Sequence, residues 1–321
     1  MLYTKYVKIS RVMANIGFFT TSFSVLLFIF LTLFYVKKKV GSYRFLLIAF
    51  PFLGFFFAAF EFFMHPFFHN FNTGITLFTL NPVSKASKSF QTFLLSSYTG
   101  LYSMTIALLA LQFVYRYWAV FHPHLISKYF NGFNFCYSIA YTLFFGGIWT
   151  IGTQLFCLID DFAIEIFEQE FLKCYGFVFS EHAALVTVAY DKKGNFRVIN
   201  FLGTLAQTLV LLSQYSIIIY CAIVMAQGMK AKLSLVSPSV RKVHYQFFQT
   251  LLLQITVPTL TLFIPVFFLI YVPFFDIEIS VPTGIFLSTF ALYPAMDCFI
   301  VLYMASYYRS ALRSYKVIRD H

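Results

Sequence analysis

The sequence predicts an all-α integral membrane protein, a bundle of seven transmembrane helices with the N-terminus outside and the C-terminus inside. Three observations lead to this fold class. Of the 321 residues, 60% are hydrophobic and only 11% are charged, whereas soluble domains contain about 25% charged residues. The apolar residues come in blocks long enough to cross a hydrocarbon core of about 30 Å. Lys and Arg residues are concentrated in those loops that would lie on one side of the membrane.

Seven apolar blocks define the predicted spans. A helix satisfies its own backbone hydrogen bonds, which lipid cannot do, so each block is predicted to be helical. The predicted spans cover residues 13–36, 45–64, 90–118, 133–157, 199–226, 245–271 and 284–306. No sequence period of roughly 20–50 residues recurs, so we expect residues 1–321 to form a single seven-transmembrane domain. Residues 307–321 are then a short basic tail in the cytoplasm.

The distribution of charge predicts the orientation. With the N-terminus outside, the predicted inner segments hold 14 Lys and Arg residues and one acidic residue, Asp320. The predicted outer segments hold nine basic and nine acidic residues. Lys and Arg near span ends favour the cytoplasmic side, which supports the assumed orientation. The net charge of +11 is explained by an inner face beside anionic lipids, so no nucleic-acid partner is predicted.

The longest predicted outer loop is the acidic segment 158–197. It could cover a ligand entrance or be an ordinary solvated loop. Cys157 and Cys174 flank its first part and could form a disulfide if the loop faces an oxidising space. His65 and His69 have helical ligand spacing, but Pro66 lies between them, so an outer-loop pair is favoured over a metal site.

Polar residues interrupt the outer parts of two spans. In span three they recur at steps of three and four and therefore share one helix face. These residues are Thr92, Ser96, Thr99 and Ser103. Such a face either allows close helix packing or lines a ligand cavity. Glu61 in span two is either a functional carboxylate at membrane depth or an interfacial one that reaches water.

Spans six and seven contain candidate moving parts. Pro258 and Pro265 are seven residues apart, on nearly the same face of span six, and two aligned kinks favour movement. In span seven, Asp297 follows Pro294 by three residues, and Tyr293 lies one turn before Asp297 on the same face. A buried acid beside a bend can hold one helix arrangement until a partner bond breaks.

The stretch Tyr115-Arg116-Tyr117 ends span three. Arg116 could be a membrane anchor whose stem crosses the interface beside an aromatic belt. The alternative is an arginine contact that changes between two states of the protein, a switch that faces the cytoplasm. The sequence contains no HExxH, GxSxG or P-loop pattern, so we predict no enzyme activity and no bound metal or cofactor. The seventh span has no lysine for a retinal Schiff base.

Several stretches together resemble one known family. They are GSYRFLLIAF at span two, FVYRYWAV at span three, VHYQFFQTLLLQITVPTLTLFIPV at span six, VPFFDIEI after it, and YPAMD with the YYRSAL tail. In this order they resemble the Str family of nematode seven-transmembrane chemoreceptors. The resemblance implies a G-protein-coupled receptor for odorants or other small environmental molecules, in the plasma membrane of the cilia of chemosensory neurons.

The resemblance also implies roles for particular residues. Arg116 stands where many G-protein-coupled receptors have an acid-Arg-Tyr switch, but Tyr115 replaces the acid, so Arg116 would need a partner elsewhere. Cys298 stands where the family usually has a proline after Asp297. Ligand is expected among the outer halves of spans two, three, five, six and seven. The candidate ligand-binding residues are Glu61, Thr92, Ser96, Thr99, Ser103 and Gln207.

The predicted partners follow from this function. They are a small-molecule ligand, volatile or soluble, a heterotrimeric G protein and membrane lipid, with room for a homo- or hetero-oligomer. Two alternatives remain open from the sequence. One is a seven-span ligand-gated channel or transporter. The other is a protein that assists the folding or trafficking of other receptors.

Overall fold

A computed structural model gives the architecture and describes residues 3–36, 42–83, 86–157, 159–235, 237–277 and 279–304. The helices are α1 (Thr4–Leu31), α2 (Tyr43–Met64), α3 (Lys88–Phe121), α4 (Pro123–Tyr129), α5 (Cys136–Phe156), α6 (Asp161–Cys174), α7 (Val198–Lys232), α8 (Pro238–Pro258), α9 (Ile264–Tyr271), α10 (Gly284–Ser288) and α11 (Tyr293–Met304). The strands are β1 (Pro66–Phe71), β2 (Gly74–Thr79), β3 (Ala184–Val188) and β4 (Ser280–Val281). The predicted basic tail, residues 307–321, lies outside the described residues.

Within the described ranges, six helical segments are long and apolar enough to cross a membrane. They are Thr4–Tyr35, Tyr43–Met64, Lys88–Phe121, Gly132–Phe156, Val198–Lys232 and Gly284–Met304. The chain is therefore a mostly helical membrane protein, as the sequence predicts. The span predicted at 245–271 is not among the six, because this part of the chain is divided between α8 and α9.

A π-helical turn, Thr259–Phe263, joins α8 to α9, so residues 238–271 form one helical run with a local widening. Pro258 is the last residue of α8, and Pro265 lies in the first turn of α9. Each proline lacks a backbone N–H and disturbs the regular hydrogen-bond ladder. The two predicted kink positions thus flank a single π-helical turn, a type of irregularity that is frequent at functional sites.

Helix α3 occupies the centre of the bundle, where it packs against α2, α5, α7 and α8. Helix α1 lies at the side and packs against α2 and α11. Gly54 of α2 faces Pro294 of α11, where any larger side chain would clash. The bundle core is made of large apolar side chains from these helices.

A four-stranded antiparallel sheet covers one end of the bundle, which the all-α prediction missed. Its strand order is β3-β2-β1-β4. His65, with a φ of 49°, ends α2 in the left-handed conformation, and β1 begins at the next residue. Asn72, with a φ of 48°, makes the tight turn from β1 to β2, and asparagine tolerates this conformation well. We call this end the sheet end and the opposite end the far end.

Segment 158–197, predicted to be an acidic loop, folds over the sheet. It supplies α6 and β3, and α6 packs its aromatic face on the sheet. A second hydrophobic core forms between them around Phe78, Phe167 and Phe171. The segment is therefore a packed layer and not a solvated loop.

The disulfide considered between Cys157 and Cys174 is not formed, and both thiols are free. The sheet lies between the two cysteines, which explains the separation. The Cys157 Sγ atom is 3.5 Å from the Thr187 hydroxyl, on the face of the sheet toward the bundle. The Cys174 thiol donates a hydrogen bond to Glu170 within α6, on the other face.

Candidate ligand cavity and arginine cage

A cavity of about 90 Å³ lies inside the bundle directly beneath the sheet. A single water needs only about 15 Å³ of such space, so the cavity can hold a small organic molecule. Side chains of α2, α3, α5, α7, α9 and α10 form its walls. None of its lining residues is Asp, Glu, Lys or Arg, in the part of the chain that the structure describes.

Six of the eighteen described residues that line the cavity carry aromatic rings. The Phe57 and Tyr98 rings stack with their centroids 4.9 Å apart, joining α2 to α3. The Tyr102 ring contacts Trp149 of α5 at 5.9 Å and Phe290 at 6.3 Å. Apolar sites of this kind bind small molecules through shape and burial, and a few polar groups fix orientation.

The sheet provides the ceiling of the cavity. In β2 and β3, alternate residues face the cavity: Ile75, Leu77, Leu185 and Thr187. On the opposite face of these strands, Phe78, Ala184, Val186 and Val188 pack in the second core beside α6. This follows from the two-residue period of a strand, which points successive side chains to opposite faces.

The polar side of the cavity centres on three residues. The Gln207 amide donates to the Thr153 hydroxyl at 2.8 Å, and the Thr99 hydroxyl lies 3.1 Å from that of Thr153. Among the described residues this is the one hydrogen bond of the Gln207 side chain. Its amide oxygen is therefore available to a ligand that donates a hydrogen bond.

Of the six predicted ligand-binding residues, Thr99 and Gln207 line this cavity. The other three polar residues on this face of α3 form hydrogen bonds away from the cavity. The Thr92 hydroxyl donates to the Lys88 carbonyl of its own helix, the Ser96 hydroxyl donates to Gln154 at 2.7 Å, and the Ser103 hydroxyl donates to the Phe145 carbonyl at 3.2 Å. Most of this polar face of α3 therefore packs against α5, which lies beside it, and does not line the cavity.

Glu61 lies behind the cavity wall and not on it. Its side chain is fully buried, so it does not reach water as an interfacial carboxylate would. One carboxylate oxygen accepts a hydrogen bond from the Tyr98 hydroxyl, and the other has no partner among the described residues. Because the Tyr98 ring lines the cavity, its hydrogen bond to Glu61 helps to hold this part of the cavity wall in place.

A second polar cluster lies between the sheet and α6. His69 Nδ1 is 3.0 Å from the Tyr175 hydroxyl, and its Nε2 is 3.6 Å from Glu170. Burial lowers the pKa of His69 to about 4, and the nearby Glu170 only partly opposes this. Burial acts to raise the pKa of Glu170, but hydrogen bonds from Ser280 and Cys174 hold it below its usual range.

Arg116 sits at the far end in a cage of aromatic rings. It is only 7% exposed. Its guanidinium carbon lies 3.5 Å from the centroid of the Tyr43 ring of α2 and 3.3 Å from that of Phe247 of α8. Throughout the described chain no carboxylate pairs with it, and its Nε and Nη2 atoms have no hydrogen-bond partner. The Arg116 guanidinium is therefore held by the faces of two rings, those of Tyr43 and Phe247.

The neighbours of Arg116 have different surroundings. Tyr115 is buried, and its ring packs against Tyr43 at 4.9 Å. Tyr117 lies nearer the surface, where its hydroxyl is 3.2 Å from His122. The aromatic cage is therefore built from α2, α3 and α8 together.

A second contact joins α8 to α11. The Gln254 amide donates to the buried Asp297 carboxylate at 2.7 Å. Tyr293, one turn earlier on α11, is buried and contacts the Phe50 ring. The predicted residues Arg116 and Asp297 thus both contact α8, through Phe247 and Gln254, before the π-helical turn begins.

Comparisons with known proteins extend over nearly the whole chain. A family model described as "Serpentine type 7TM GPCR chemoreceptor Str" matches residues 10–313. "G-protein coupled receptor str-33" of Caenorhabditis elegans is 36% identical over 313 residues, which is 95% of this chain and 90% of that protein. "Serpentine receptor class r-10" of the same organism is 23% identical, covering 86% and 81% of the two chains. Its namesake in Caenorhabditis briggsae is 22% identical, covering 95% and 90%.

Proposed function

The chain belongs to the Str family of serpentine seven-transmembrane chemoreceptors, and on this premise we propose that it detects a small environmental molecule, such as an odorant, and activates a heterotrimeric G protein. The family is one of receptors and not of enzymes. The observation that carries the proposal is a single helical run, residues 238–271, that contacts both the cavity and the arginine cage.

The ligand would occupy the cavity beneath the sheet. Its aromatic wall suits an apolar body, and the Gln207 and Thr153 side chains suit one hydrogen-bonding group. Val266 and Ile270 of α9 also line this space. A ligand there contacts the upper part of the helical run and can favour one of its positions.

The G protein would be sensed at the other end of the same run. Movement of α8 away from α3 would take the Phe247 ring off Arg116 and stretch the Gln254–Asp297 hydrogen bond. The π-helical turn lies between these contacts and the cavity, so α8 can move while α9 stays on the ligand. A desolvated cation–π contact stabilises by roughly 2 kcal/mol. The ligand must prefer the active state by a comparable amount to release Arg116.

We further propose that the sheet end faces outward and the far end faces the cytoplasm. The unequal distribution of Lys and Arg supports this orientation. The plasma membrane, and within it the cilia of chemosensory neurons, is the proposed location. On this orientation, the inner segments predicted from the sequence, which hold 14 Lys and Arg residues, would meet the G protein and anionic lipids.

A calcium assay in cells with a promiscuous G protein tests the function. The cells carry this receptor, its Arg116→Ala variant or its Arg116→Lys variant, and meet a panel of volatiles and water-soluble metabolites. We expect one or more compounds to activate the parent receptor, and the alanine variant to be silent at equal surface expression. The lysine variant should respond weakly, because an ammonium group cannot stack flat between two rings.

The same assay separates the alternative functions. A ligand-evoked current that persists when G-protein signalling is blocked would contradict the proposal and favour a channel. Ligand-dependent uptake of the compound without a G-protein response would favour a transporter.

A further inference from the structure

We propose that ligands reach the cavity sideways from the lipid bilayer, through a window between α7 and α9. Their chemical class is then uncharged lipophilic small molecules that have first dissolved in the membrane. This inference rests on the proposed function, because it concerns access to the same cavity.

The sheet closes the direct route from the sheet end. All residues of β2 and β3 are buried, and α6 covers their upper face. The sheet is also bonded to the helices beneath it. The Val186 N–H donates to the Cys157 carbonyl at the end of α5, and Asn70 donates to the Leu269 carbonyl of α9. A ligand would have to break these bonds to pass through the ceiling.

A side branch leads from the cavity toward the lipid. A smaller cavity of about 20 Å³ shares Gln207 and Ile270 with the main one and continues to Leu211 and Phe267. Phe267 is 43% exposed, on a surface of α9 that carries other exposed apolar residues. The branch thus runs from the polar side of the cavity to the membrane-facing surface.

Two hydrogen bonds frame the window. The hydroxyls of Thr208 and Tyr271 are 2.6 Å apart toward the sheet end, and those of Tyr215 and Thr259 are 3.0 Å apart toward the far end. Thr208 and Tyr215 are separated by two turns of α7, or about 10 Å. An opening of this height accepts the edge of an aromatic ring while both hydrogen bonds remain.

Apolar side chains fill the window. Leu211 of α7 and Phe267 of α9 can change rotamer without breaking a hydrogen bond, and such flips are fast at exposed positions. Val266 is the one buried residue of α9, so the other side chains of this helix can reorient while its backbone stays bonded to the sheet through Leu269.

The chemistry of the route agrees with that of the site. No charged side chain lines either the cavity or its branch, within the described part of the chain. Each CH₂ group added to a ligand raises its concentration in the membrane about fourfold. The bilayer therefore concentrates the same molecules that the cavity suits.

The test measures how fast a brominated probe reaches Trp149 in the cavity wall. The chain has two tryptophans, so Trp118→Phe leaves Trp149 as the sole reporter. In this background, purified receptor in lipid nanodiscs is mixed with 4-bromophenol, and quenching of Trp149 is followed by stopped flow. Phe267→Ala widens the window, and Leu211→Phe narrows it.

Each variant has a matched control on the next residue of the same helix. The exposed Phe268 and Leu212 provide Phe268→Ala and Leu212→Phe. We expect Phe267→Ala to raise the association and dissociation rates roughly tenfold, the factor that about 1.4 kcal/mol of lost ring packing corresponds to. Leu211→Phe should lower both rates, and the two controls should match the parent.

The outcomes separate the route from the site. Equal rates in all four variants, with saturable quenching, would overturn the window and leave the cavity as a binding site. Faster quenching only in Phe167→Ala, which loosens α6 from the sheet, would redirect the route to the sheet end. Quenching that never saturates would overturn the cavity itself, and with it the proposed function.

Discussion

The two ends of the bundle hold their polar groups by different physical means. At the sheet end, directed hydrogen bonds dominate: Asn70 donates to the Leu269 carbonyl and accepts from Thr283, and Ser280 donates to Glu170. At the far end, Arg116 lies between ring faces, and two of its nitrogens lack hydrogen bonds in the described chain. Hydrogen bonds weaken steeply when bent, whereas a cation can slide over a ring.

This difference indicates which end is built to move. The sheet end is a layered structure whose strands are bonded to the helices below, so it serves as a fixed reference. At the far end, Arg116 of α3 has ring partners from two other helices, α2 and α8, which can separate from it by sliding. In the proposed function, a small ligand bound near the fixed end would therefore displace α8 without disturbing its own site.

Phe171→Ala has the largest expected effect and should break the sheet end alone. Phe171 is fully buried, with its ring 4.8 Å from Phe78 and 4.6 Å from Phe179. Truncation of a buried phenylalanine costs about 3–5 kcal/mol of unfolding free energy. We expect α6 to become protease-sensitive and the unfolding temperature to fall, while the helices stay inserted.

The neighbouring Leu172 is exposed and gives the matched control, Leu172→Ala. Its unfolding free energy should stay within about 0.5 kcal/mol of the parent. Equal protease sensitivity in the two variants would show that α6 is not held by its aromatic face.

Phe247→Leu should release the far end without ligand. Loss of one ring face removes about 2 kcal/mol of cation–π stabilisation, which shifts the ratio of active to resting receptor roughly 30-fold. The measurement is basal nucleotide exchange on a purified G protein. Phe268→Leu, at an exposed position, is the control, and a basal rate no higher in Phe247→Leu would contradict the cage.

Acid should weaken the sheet end before the far end. The pKa of His69 is about 4 in the folded protein, below its ordinary 6.5, so the unfolded state binds more protons between these values. Stability is therefore complete above pH 6.5 and falls by about 2 kcal/mol by pH 5. His65, with a pKa also lowered to about 4 by burial, adds a loss of the same sign. The pKa of Glu170 is lowered, so this carboxylate loses its contribution to stability only in solutions more acidic than these.

Unfolding temperatures at pH 7 and pH 5 measure this effect. His69→Gln should remove about half of the pH dependence, and His124→Gln, at an exposed position, should leave it unchanged. An unaltered dependence in His69→Gln would place the acid sensitivity elsewhere.

Gln207→Leu should have the smallest effect, a loss of affinity that tests whether Gln207 contacts the ligand in the cavity. Loss of one hydrogen bond costs about 1 kcal/mol, or roughly a fivefold loss of affinity. That loss should appear for 4-bromophenol, which donates a hydrogen bond, and not for bromobenzene, which does not. Gln154→Leu, which affects a residue bonded to Ser96 away from the cavity, is the control. Equal losses for both probes would mean that Gln207 does not contact the ligand.

The sequence was sufficient to predict the bundle but not the sheet. Blocks of apolar residues predict membrane helices because lipid requires long, uniform segments. The segments GITLFT and ALVTV have strand-like composition, but β2 and β3 pair across more than one hundred residues of chain. Such a pairing leaves no local periodic signal that separates it from two unrelated loops.

The lining of the cavity could be predicted from the sequence only in part, for a related reason. Helical spacing placed Thr92, Ser96, Thr99 and Ser103 on one face, but it does not say which neighbour that face meets. Gln207 and Thr99 reach the cavity because α7 and α3 converge there. The partners of Arg116 were missed because a search for opposite charge does not find ring faces.

The alternating faces of β2 and β3 have a consequence for the diversification of this receptor family. Ile75, Leu77, Leu185 and Thr187 line the cavity, whereas Phe78, Ala184, Val186 and Val188 on the opposite face pack with α6. In the proposed function, single codon changes at the first set would alter which small molecules bind while leaving the residues that face α6 in place. The arginine cage lies at the other end of the bundle, so such changes would leave it intact. Ligand preference and intracellular signalling would then vary as separate traits within one gene.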